Sequence, residues 1–126
     1  MTTDEILVPL ALATGCSNPQ EAMMMLAYRG AAVVTHGKDV FLRLSAAIQW
    51  NEAEAADASS RAEHLYRAAL AKHLKGCAES VESIAYTSEL WGLWARVFED
   101  DAKALVSSSR KDIPPDLREI VRKAVH

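Results

Sequence analysis

His73 and Cys77 stand four residues apart, one helical turn, and are the side chains in this chain best suited to nucleophilic chemistry. Cys77 follows Gly76, where one helix is expected to end and the next to begin. A thiol at a helix N-terminus has a lowered pKa. The competing reading is a small apolar residue packed where two helices meet. A ligand-binding or thiol-dependent enzyme bundle using Cys77 and His73 is therefore one of two functions the residue types suggest.

Other chemistries lack their parts. A di-iron bundle needs a Glu and a His three positions on, facing inward together, and none of His36, His64, His73 and His126 has such a Glu. His-Glu-x-x-His and Cys-x-x-Cys are both absent. So are the glycine-rich phosphate loops. No catalytic set, metal site or cofactor is expected. Cys16 and Cys77 lie 61 residues apart with no secretory signal ahead of them, so two thiols in a reducing cytoplasm are expected.

The elements that would position these groups read as helices. The chain has 126 residues, 22 of them alanine, with five glycines and four prolines. Alanine costs least in a helix, and alternating strand patterns are not apparent. A first helix is expected over about 4–13, with Pro9 kinking it or moving its start and Gly15 ending it. Asn18-Pro19-Gln20-Glu21 reads as an N-cap and first turn. The helix it opens is expected to run to about His36 and stop at Gly37. Its apolar residues spread nearly all round, which suggests a central helix. A third helix should start near Asp39. Asp57-Ala58-Ser59-Ser60 should break the chain, because Ser60-Arg61-Ala62-Glu63 matches a capping box. The fourth helix should end at Gly76. A long fifth helix is expected over about 78–106, with Gly92 near a bend. A polar linker over 106–112 then precedes a short amphipathic helix opened by Pro114-Pro115. The expected fold is a single all-α domain over 1–126, an antiparallel bundle of five to six helices.

Net charge is −3 and charged residues make up 25%, which argues against a nucleic-acid coat. The second and third helices around Gly37 have the tight turn of a helix–turn–helix, but Arg43 is the third helix's lone cation before Glu52 and Glu54. The apolar stretch Ile6–Ala13 is too short to span a membrane.

What remains is surplus apolar surface. Met23-Met24-Met25 could serve as an adaptable binding face or as core. Trp91 and Trp94 share one side of a helix. The last helix is too short to stand alone, so Leu117, Ile120 and Val121 must dock on this chain or on a partner. The expected function is a non-enzymatic helical interaction protein: an adaptor, chaperone-like or assembly module. It would bind a protein partner, or itself, through an apolar helix groove formed by Trp91, Trp94, Met24, Leu117, Ile120 and Val121.

Leu90-Trp91, Glu99-Asp100 and Ile113-Pro114-Pro115-Asp116-Leu117-Arg118 follow, over the last third of the chain, an order similar to the flagellin-regulating FlaF family of alphaproteobacteria. The spacing between the acidic pair and the proline differs from that family's. The resemblance implies a non-catalytic role in flagellin expression.

Overall fold

A computed structural model describes residues 5–15, 19–30, 32–77, 86–107 and 115–124. It is mostly helical with a small three-stranded sheet. The chain runs β1 (Leu7–Pro9), α1 (Leu10–Thr14), α2 (Pro19–Tyr28), β2 (Val34–His36), β3 (Asp39–Arg43), α3 (Leu44–Ala56), α4 (Arg61–Gly76), α5 (Ser88–Val97), α6 (Glu99–Ser107) and α7 (Pro115–Ala124).

The sheet corrects the all-α expectation. Its strands lie in the order β1-β3-β2, both pairings antiparallel. Val33-Val34-Thr35 and Val40-Phe41-Leu42 are β-branched, aromatic and aliphatic runs on either side of Gly37-Lys38. That is the pattern of a hairpin, and Val34 pairs with Phe41 and His36 with Asp39. Gly37 has φ +62° and Lys38 does not share the positive sign, so glycine occupies the position that a type II′ turn reserves for it. Gly37 therefore turns a hairpin, where a helix stop was expected. The third helix accordingly starts at Leu44, and Asp39 opens a strand.

The first helix is also shorter than expected. Ile6 and Val8 are buried, Val8 pairs with Leu42, and the Leu44 N–H donates to the Ile6 carbonyl at 2.8 Å. Pro9, which has no N–H to give, ends this edge strand and moves the helix start to Leu10. Gly15 ends α1 in the left-handed conformation, as expected.

The helix break at 57–60 is present. The Ser60 hydroxyl accepts from the Glu63 N–H at 3.1 Å, capping α4. α3 and α4 make the most extensive helix contact of the fold. α4 ends at Gly76. The expected start of the fifth helix, 78–85, lies outside the described residues. Its remainder is two helices, broken at Phe98 and not at Gly92. Glu99, Asp100 and Asp101 form the first turn of α6, where acids suit the helix dipole. Phe98 turns inward, edge-on to Tyr66 at 6.0 Å.

One cluster of buried side chains runs from Ile6 and Val8 through Leu26, Leu44, Tyr66, Leu70 and Leu74 to Trp94 and Val121. Among the described residues no helix is long and apolar enough to cross a membrane.

Candidate functional site

The N-terminal elements hold α2 in place. β1 leads into α1, which ends at Gly15 and packs against α2, and the β2–β3 hairpin returns to pair with β1. Beneath Gly15, Tyr66 donates to the Gly15 carbonyl at 3.2 Å, and its oxygen lies 3.0 Å from that of Tyr86. Tyr86 donates in turn to the Leu12 carbonyl. Arg67 is buried beneath α1. It donates to the Thr14 carbonyl and to Asn51 Oδ1, and its guanidinium lies over the rings of Trp50 and Tyr66. Asn51 donates to the Ala13 and Ala47 carbonyls at 2.7 and 2.9 Å.

At its far end α2 is clamped to α3. Arg29 Nε donates to Glu54 at 2.6 Å and Nη2 to Asp57 at 2.8 Å. These hydrogen bonds, Glu54's first, raise the Arg29 pKa above its ordinary value.

So held, α2 buries one side only. Ala22 and Leu26 face the core and Met25 is half-buried. On the other side Met24 is 74% exposed and Tyr28 89%, with Met23, Gln20, Glu21 and Ala27 also exposed. The helix is therefore peripheral, not central. The three methionines have three environments, which residue type alone could not distinguish.

The aromatic residues behave differently. Trp94 is buried, and Trp91 is half-buried between Tyr86 and Trp94, with ring centres at 5.2 and 5.3 Å. Val121 is fully buried, Ile120 half-buried, and α7 packs on α5 and α6. Arg118 Nη1 donates to the Val106 carbonyl near the end of α6. The Leu117 side chain lies outside the described residues. Thus the last helix docks on its own chain, and among the expected contact residues whose side chains are described, Met24 alone stands well clear of the core. Tyr28 was missed; it falls seven residues from Glu21 and four from Met24, a helical spacing that could have flagged it.

Cys77 lies at the C-terminal end of α4 and is buried. Its Sγ is 3.8 Å from His73 Nε2, beside a cleft of about 340 Å³ that Lys72, Thr87 and Glu89 also line. Burial pushes the Cys77 pKa up, the opposite of an activated thiol. Alkylation of Cys77 by iodoacetamide at neutral pH is expected to be at least about tenfold slower than that of a model thiol. Peptide mapping with Cys16→Ser would read it, and faster-than-model labelling in the folded protein would restore the thiol-enzyme reading. Cys16 lies outside the described residues. Among the described residues no three His, Cys, Asp or Glu side chains gather where they could hold a metal.

No protein-family model, curated protein or solved structure matches the chain.

Proposed function

We propose that this protein is a non-enzymatic interaction module that binds a protein partner through the outer face of α2. The observation that carries this reading is the exposure of Met24 and Tyr28 on one stripe of a helix whose C-terminal end is tied to α3 through Arg29. Burying a large apolar side chain is worth roughly 1.5–3 kcal/mol. A helix that leaves two such side chains in water has that free energy available for a partner. Tyr and Met are also residue types that protein interfaces favour at their centres.

Nucleic acid fits this face less well. A reading helix needs cations for phosphates, whereas α2 has no Lys or Arg and carries Glu21. The expectation that Trp91, Trp94 and Val121 form the docking groove gives way to α2, because those side chains already have partners in the chain's own core.

The test is affinity capture from the source cells with the natural chain and with Met24→Ala/Tyr28→Ala, both checked for unchanged helical content and melting. A stoichiometric protein retained by the natural chain and lost by the variant is the expected result. Equal retention by both, or no retained protein, would overturn the reading.

A further inference from the structure

We draw no further inference here: the strongest candidate, the cleft of about 340 Å³ between the end of α4 and the start of α5, rests on one buried cysteine, Cys77, whose Sγ already contacts His73, and no second feature among the described residues points to a ligand.

Discussion

Arg67→Ala is expected to lower the unfolding free energy by about 3–5 kcal/mol, measured by urea denaturation. That is a large share of the 5–15 kcal/mol or so that holds a domain of this size together. The side chain is 1% exposed and ties α4 to α1 and α3. Removing it leaves the Thr14 carbonyl and Asn51 Oδ1 without this donor and opens a cavity between the rings of Trp50 and Tyr66. Arg67→Met, which keeps much of the volume and relieves the burial of a charge, should cost clearly less than alanine. A loss below about 1 kcal/mol in Arg67→Ala would mean that the buried network contributes little.

Gly15→Ala should cost about 2–4 kcal/mol, by two separable causes. The residue has φ +65°, a conformation that L side chains rarely adopt. A Cβ there would also collide with the Tyr66 hydroxyl and come within 2.8 Å of the Tyr86 hydroxyl. Tyr66→Phe in the Gly15→Ala background removes the first hydroxyl and should recover part of the loss. Gly37 has a similar φ of +62° with open space around it, so Gly37→Ala isolates the backbone cost, about 1–2 kcal/mol. Equal losses at the two glycines would show that the collision with Tyr66 is relieved at no cost.

The parts of the fold legible in the sequence were those decided by local chemistry. Ser60 and Glu63 form their cap wherever the surrounding chain goes, and Gly15 and Gly76 end helices as expected. The sheet was missed because its strands are three to five residues long, and alanines on both sides blur the pattern. Gly37 is compatible with either a helix stop or a hairpin turn. The deciding contact is the pairing of β3 with β1, thirty-odd residues earlier in the chain. The site shows the same limit. Met24 was among the residues singled out, but its outward direction depends on which side of α2 meets the core. The buried Arg67 network was not foreseen, since nothing local marks one arginine among fourteen basic residues as interior.

The polar contacts under Gly15 also bear on the order in which the molecule assembles as it is made. Tyr86 reaches back 74 residues to Leu12, Arg67 53 to Thr14, and Tyr66 51 to Gly15. The N-terminal unit cannot close these bonds until α4 and the segment carrying Tyr86 have left the ribosome. Its apolar side chains must wait in an incomplete state during synthesis, when nascent chains are prone to aggregate. Loops of this length also slow the search for the native state relative to a helical bundle of local contacts. Completion of the α1 end is thus coupled to a segment far along the chain, and a polypeptide arrested before Tyr86 would lack one of the bonds that hold α1 in place.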